Sequence, residues 1–214
     1  MDPILKEQLA HVLWIGGATD SGKSTIAQRL ADRHGWHTYH YDMVDAGQIQ
    51  VLAESHSEIR QFLDASLDER WVNPEPEDLY LFLVHSLSLR FPLVIDDLLA
   101  LPVEKPILVE GFGLLPDLIH PVLSSPYQAI WFVPTETFKR ESMERRGKPS
   151  FAKATRDPER ARMNLIARDR MLADFYREHV PGHGYTLHEV DGSLSVEEMT
   201  ELAENHFAHY LNWE

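Results

Sequence analysis

Apolar and polar positions along the chain alternate between a strand-like and a helix-like pattern. His11 to Ile15 is a short apolar run stopped by Gly16-Gly17, as expected of a strand buried on both faces. Lys23 to His34 then sets Ile26, Ala27 and Leu30 at helical spacing, and Gly35 is suited to end that helix. Trp36 to Tyr41 is aromatic-rich and extended, with Asp42 at its C-terminal end. From Val44 to Val103 the spacing is helical in several pieces, punctuated by Asn73-Pro74-Glu75-Pro76, and a long helix is predicted to start near Glu77. A strand-to-strand crossover needs far fewer residues, so residues 44–104 are expected to form an inserted helical lobe.

The strand pattern returns at Ile107 to Val109, running into Glu110-Gly111-Phe112-Gly113. Ala129 to Val133 is a further strand, ended by Pro134, and Thr135 can cap a helix reaching Arg146. Residues 147–157 read as a loop, and Pro158 fits the first turn of a helix to about His179. Tyr185 to Val190 is the last strand, and Ser195 with Glu198 forms a capping-box pattern opening a helix towards Tyr210. Strands alternating with helices predict an α/β fold, a doubly wound parallel five-stranded sheet forming a single domain over residues 1–214. No internal repeat or low-complexity tract interrupts it.

Composition narrows the chemistry. The 214 residues can bury a core without staples, and the absence of cysteine removes disulfides, thiolate catalysis and thiolate metal sites. With 34 acids against 20 bases the net charge is −14, which disfavours nucleic acid and anionic membrane as general partners. The most apolar region, Leu79 to Leu101, is interrupted by His85, Arg90, Pro92, Asp96 and Asp97 and reads as a core helix plus a turn. The N-terminal MDPILKEQLA lacks a basic start and apolar centre. The expectation is a soluble, cytoplasmic monomer or homodimer. Positive charge is concentrated between Phe138 and Arg177, where 12 Lys and Arg face 6 Asp and Glu. That stretch is either a solvated, charge-rich helix pair or a local anion site.

Gly17-Ala18-Thr19-Asp20-Ser21-Gly22-Lys23-Ser24 matches G-x-x-x-x-G-K-[ST] in full, between an apolar strand and a helix, with Thr25 following. Glycines let the backbone curl into a nest of N–H groups around phosphate oxygens, and the helix start adds free amides and a favourable dipole. Lys23 would place a cation at the outer phosphates, and the Ser24 hydroxyl can ligate Mg²⁺. The pattern predicts binding of a nucleoside triphosphate.

With GGATDSGKST near the N-terminus, HYD at the second strand, VEG at the third and an Arg-rich segment before the last, the chain resembles the small P-loop kinases. That family includes adenylate, shikimate, gluconate and uridine kinases. Glu110-Gly111 looks like the strand end of uridine and pantothenate kinases; adenylate kinases carry Asp-Gly there. The resemblance implies an ATP- and Mg²⁺-dependent kinase acting on a hydroxyl of a small metabolite or nucleoside. Asp42 matches the acid that approaches the acceptor hydroxyl, although it could simply cap the following helix, and Asp45 is its nearest substitute. Glu110 would stand near Mg²⁺ or the acceptor, or hold a loop. Residues 145–160 correspond to a mobile lid, with Arg145 favoured as the catalytic cation and Arg146 and Arg156 as further triphosphate contacts. Asp191-Gly192-Ser193 matches the place where the family packs backbone on adenine, or is a plain turn. The alternative is a nucleotide-dependent switch or ATPase acting on a protein partner, with Glu110 activating water and the inserted lobe as a docking face.

Twelve histidines raise the question of metal, yet His37 and His40 point to opposite faces of a strand, and His206 with His209 lack a third ligand. Gly111 and Gly113 could let backbone approach a ligand. Trp71 and Tyr80 could stack on an aromatic acceptor or fill a core.

Overall fold

The computed structural model describes residues 3–147 and 149–211; Lys148, one of the basic residues counted in the lid segment, and the terminal residues of the 1–214 domain lie outside them. Its centre is a five-stranded, all-parallel sheet ordered β2-β3-β1-β4-β5. The strands are β1 (Val12–Gly16), β2 (His37–His40), β3 (Ile107–Glu110), β4 (Ala129–Pro134) and β5 (Thr186–Val190). β1, β3 and β4 are buried at every position, as strands covered on both faces must be, whereas the edge strands β2 and β5 are only partly buried.

Alternation along β1 sends side chains into two cores. Leu13 and Ile15 meet α2 (Lys23–His34) and α10 (Val196–His206) through Ile26, Leu30 and Met199, and Phe207, which caps α10, joins them. Val12 and Trp14 meet the opposite layer, built from α6 (Pro76–Leu99) and α9 (Pro158–Gly182) through Leu87, Val94, Leu98, Leu172 and Tyr176. Gly35 closes α2 in the left-handed conformation at φ 64°, and the Ser195–Glu198 capping box opens α10.

Between β2 and β3 lie α3 (Tyr41–Ala53), α4 (Ser57–Asp64), α5 (Leu67–Trp71) and α6, the helical insertion expected from the spacing. A small helix α7 (Pro116–Ile119) follows β3, and α8 (Glu136–Arg146) follows β4. A short helix α1 (Pro3–Gln8) precedes β1.

Several boundaries differ from expectation, that of β2 and the course of α6 for packing reasons, and a 3₁₀ turn over Ser150–Ala154 stands inside the expected loop. β2 ends at His40 and Tyr41 already belongs to α3, because its ring is fully buried and its carbonyl accepts from the buried Arg90 Nη2 at 3.1 Å. Asp42 therefore occupies the first turn of α3 rather than the end of a strand. α6 passes through Pro92 without the expected turn. A mid-helix proline costs ~3 kcal/mol, but Val94 and Leu98 beyond it are completely buried and each contributes ~1.5–3 kcal/mol. By length and composition α6 could cross a membrane, yet it packs its Leu79, Leu87 and Leu98 side inward and buries Arg90. α9 runs on to Gly182 rather than His179, and α10 stops at His206, followed by a short 3₁₀ turn over Ala208–Tyr210.

Candidate active site

β1 delivers the chain at Gly16 to the loop 17–22, and α2 begins at Lys23. Gly17 holds φ 116°, and a Cβ there would lie 2.0 Å from the Phe132 carbonyl of β4, so only glycine lets the loop pass so close to the sheet. Asp20 takes a left-handed φ of 65°, which Asp tolerates better than most residues. Gly22 caps α2 without a side chain, so the first amides of α2 have no side-chain acceptor and face the loop's concavity.

Lys23 is buried, and its ammonium donates to Ala18 O at 2.6 Å and Ser21 Oγ at 3.3 Å. Burial pulls its pKa down to about 8, against the pull of the nearby Asp42 and Glu110 carboxylates. Ser24 Oγ donates to Glu110 Oε2 at 2.9 Å, and His40 Nδ1 bonds the other carboxylate oxygen at 2.9 Å. Parallel pairing sets His40 directly opposite Glu110 and Glu110 opposite Ile15, so three adjacent strands converge beside the loop.

Asp42 approaches from α3, its Oδ1 accepting from Phe112 N at 3.3 Å rather than from its own helix's amides. Burial, with Glu110 close by, pushes its carboxyl up to about 6 although Lys23 opposes the shift. The residue remains open to solvent on its cavity side. Residues 19–25, Asp42 and Arg146 together line a cavity of about 180 Å³. Gly111 and Gly113 pack against Tyr41 instead of presenting backbone to a ligand; a Cβ on Gly113 would sit 2.2 Å from the tyrosine ring.

Of the two arginines ending α8, Arg146 lines the cavity, its Nη1 3.2 Å from Asp20 Oδ1. Arg145 is not among the lining residues, because consecutive helical side chains point about 100° apart. Asp191 does not line that cavity: its Oδ1 accepts from Ser193 N at 2.8 Å and Ser193 Oγ at 2.6 Å, a tight turn beside a small cleft under β5.

The basic stretch is mostly consumed in pairs. Arg160 meets Glu75, Arg162 meets Glu159, Arg170 meets Glu136, and Arg177 meets Glu189 and Asp174. Arg156 donates to Asn73 Oδ1, while Asn164 donates to the Trp71 and Pro74 carbonyls, so this stretch fastens the α5–α6 turn. Trp71 itself lies 4.7 Å from the Phe151 ring, with Arg168 over its face, in a small core cluster.

Two parts of the site escaped the sequence pattern. His40 is the first, although it stands two residues before Asp42. The second is a buried network behind the loop. Lys139 Nζ donates to Thr19 Oγ1 at 2.8 Å and Asp169 Oδ2 at 2.7 Å, and Thr19 Oγ1 donates to the same Asp169 oxygen at 2.9 Å. Burial alone would raise Asp169, but Arg168 and Lys139 beside it hold it at about 2. Thr19 belongs to the loop motif, but no motif points to Lys139 or Asp169, since Thr19 and Asp169 are 150 positions apart.

No family model matches the chain, and no curated protein matches it in sequence. Solved structures do. Deoxyadenosine kinase from M. mycoides, with products dCMP and a flexible dCDP bound, aligns at a TM-score of 0.50 and 14% identity, over 92% of this chain and 99% of that one. A gluconokinase from Sinorhizobium meliloti 1021 aligns at 0.44 and 14%, over 92% and 91% of the two chains. The YorR protein from Bacillus subtilis, in complex with phosphorylated GDP, aligns at 0.43 and 12%, over 91% and 97%. The deoxyadenosine kinase match and the β2-β3-β1-β4-β5 order give this chain the fold of the small P-loop kinases.

Proposed function

We propose that this chain, having the small P-loop kinase fold, transfers the terminal phosphoryl group of ATP to a hydroxyl of a small metabolite or nucleoside. The observation that carries the reading is the shared cavity. A carboxylate outside the loop, Asp42, lines the same 180 Å³ space as the phosphate nest and Lys23. Binding a triphosphate requires only the nest; a carboxylate aimed into it supports a second substrate whose hydroxyl must be oriented and deprotonated.

The donor set fits the groups this fold uses. Ser24 Oγ and Glu110 Oε2 offer hydroxyl and carboxylate oxygen only, the ligand class Mg²⁺ prefers, and they would hold it directly or through water. When bound, Mg²⁺ neutralises charge on the transferred group. His40 orients Glu110 through its other oxygen. Lys23 would exchange its contacts with Ala18 and Ser21 for phosphate oxygens, and the uncapped start of α2 would bind the same anion. With its carboxyl at about 6, Asp42 is ionised at neutral pH yet basic enough to accept the hydroxyl proton. Arg146 would cover the outer phosphates from the end of α8, breaking its pair with Asp20. Lys139, Asp169 and Arg168 hold Thr19, and so the loop, in position.

One observation favours the switch reading: Met43, Val51 and Leu81 expose apolar side chains on the helical insertion. Incubating the protein with Mg·ATP and a pooled library of hydroxylated metabolites, then searching by mass for products that gain one phosphate, separates the two. A phosphorylated small molecule lost in Asp42→Asn supports the kinase; ATP hydrolysis with no such product, unchanged in Asp42→Asn, supports the switch.

A further inference from the structure

Asp117, His179 and His183 offer one carboxylate and two imidazole ligand atoms that all lie within 4.8 Å of one another. Asp117 Oδ2 is 3.1 Å from His179 Nδ1, and Oδ1 is 2.5 Å from His183 Nε2. Tetrahedral Zn²⁺ with bonds of ~2.0 Å sets its ligand atoms about 3.3 Å apart, so closing this group on an ion asks for side-chain adjustment alone.

Helical geometry keeps the two rings together. They are four residues apart at the end of α9, where His183 N still donates to His179 O at 3.0 Å despite Pro181 and Gly182 between them. Neighbours fix both rings. Phe175 stacks on His179 with centroids 3.9 Å apart. His120 stacks on His183 at 4.7 Å and is itself held by the Tyr185 hydroxyl at 2.7 Å. Side-chain exposures of 46%, 35% and 28% for Asp117, His179 and His183 leave room for water at the fourth position. The group is separate from the phosphate loop: α9 ends just before β5 begins, at the N-terminal end of the parallel strands, whereas residues 17–22 follow the C-terminal end of β1.

We infer that Asp117, His179 and His183 form a site for a borderline transition-metal ion of the Zn²⁺ or Co²⁺ class, with water completing the shell. Two imidazole nitrogens and one carboxylate select that class over Mg²⁺ and Ca²⁺, which take oxygen. The bound ion clamps α7 to the end of α9, joining the segment after β3 to the edge of β5.

Co²⁺ titration of the full chain without nucleotide, read by its visible ligand-field absorption, tests this, with Zn²⁺ competition and melting as second readouts. The expected result is one tightly bound Co²⁺ displaced by Zn²⁺, unaffected by excess Mg²⁺, with a raised melting temperature. His183→Ala and Asp117→Asn should each weaken binding at least tenfold, whereas Ser24→Ala and His209→Ala leave it unchanged. The Asp117→Asn variant keeps the shape of the site, and circular dichroism confirms that each variant is folded. Binding that survives both ligand substitutions, or several weak equivalents without tetrahedral bands, would overturn the assignment in favour of adventitious surface-histidine binding.

Discussion

Burying Lys23 should make the nucleotide-free protein less stable than it could be. Its pKa falls from 10.5 to about 8, so near neutral pH the charged ammonium opposes folding by about 3 kcal/mol. The sign follows from proton counting. Between pH 10.5 and 8 the unfolded chain binds a proton that the folded chain does not, so the cost grows as pH falls and is complete below 8. Lys23→Met removes the charge and keeps the apolar stem, but it strands Ala18 O, which accepts from the ammonium at 2.6 Å, at a cost of about 1–2 kcal/mol. The net is about 1–2 kcal/mol of added stability, or a rise in Tm of ~2–8 °C for a chain of this size. The same variant should lose the upward shift that Mg·ATP is expected to give the wild type, which at a hundredfold excess over Kd is about 2.7 kcal/mol.

Melting curves of both proteins, with and without Mg·ATP, at several pH values between 7 and 10.5, test this. The stability gap between variant and wild type should shrink as pH rises through 8 and reverse towards 10.5, where the variant keeps only its stranded Ala18 carbonyl and melts below wild type. A Met variant that melts below wild type at pH 7, or a gap that does not change with pH, would refute the argument from burial. A variant that keeps the full nucleotide shift would remove Lys23 from the phosphate site.

Asp42→Asn should lower phosphorylation of the acceptor by ~10²-fold or more with nucleotide affinity nearly unchanged, and wild-type kcat should fall as pH drops below about 6, where the base becomes protonated. A carboxyl raised in the folded state stabilises at low pH and loses that contribution as pH rises through 6; being open to solvent, Asp42 should yield no more than about 1 kcal/mol to the Asn variant at pH 7, checked by urea unfolding. Arg146→Ala should reduce kcat/KM at least tenfold while Arg145→Ala stays within about threefold, since only Arg146 lines the cavity; steady-state kinetics with the identified acceptor decide it. Lys139→Met should destabilise by about 2–4 kcal/mol because Asp169 keeps only Arg168 as a cation, and adding Asp169→Asn should recover part of the loss in denaturant titration.

What the sequence discloses depends on how far apart the cooperating residues are. The loop is legible because its function is local: eight contiguous residues with a strand before and a helix after define the nest, and α2 occupies the predicted residues. The long insertion is legible for the same reason, since helical spacing persists through α3–α6. The support around the loop is not. Ser24 and Glu110 are 86 residues apart and Lys139 is 120 from Thr19, so only strand order and helix placement unite them.

The arginine-rich stretch shows why a charge count cannot stand in for geometry. A local excess of cations says nothing about where their carboxylate partners lie. Here those partners come from α9 itself, from the α5–α6 turn and from β5. Arg156, Arg160 and Asn164 hold the start of α9 on the helical insertion through Asp68, Asn73, Val72 and Pro74. Any closing motion of the segment between α8 and α9 must therefore break these contacts or carry the insertion with it. In the proposed kinase the insertion would then move together with any covering motion of Arg146. An acceptor held by the insertion would thereby be coupled to coverage of the phosphates.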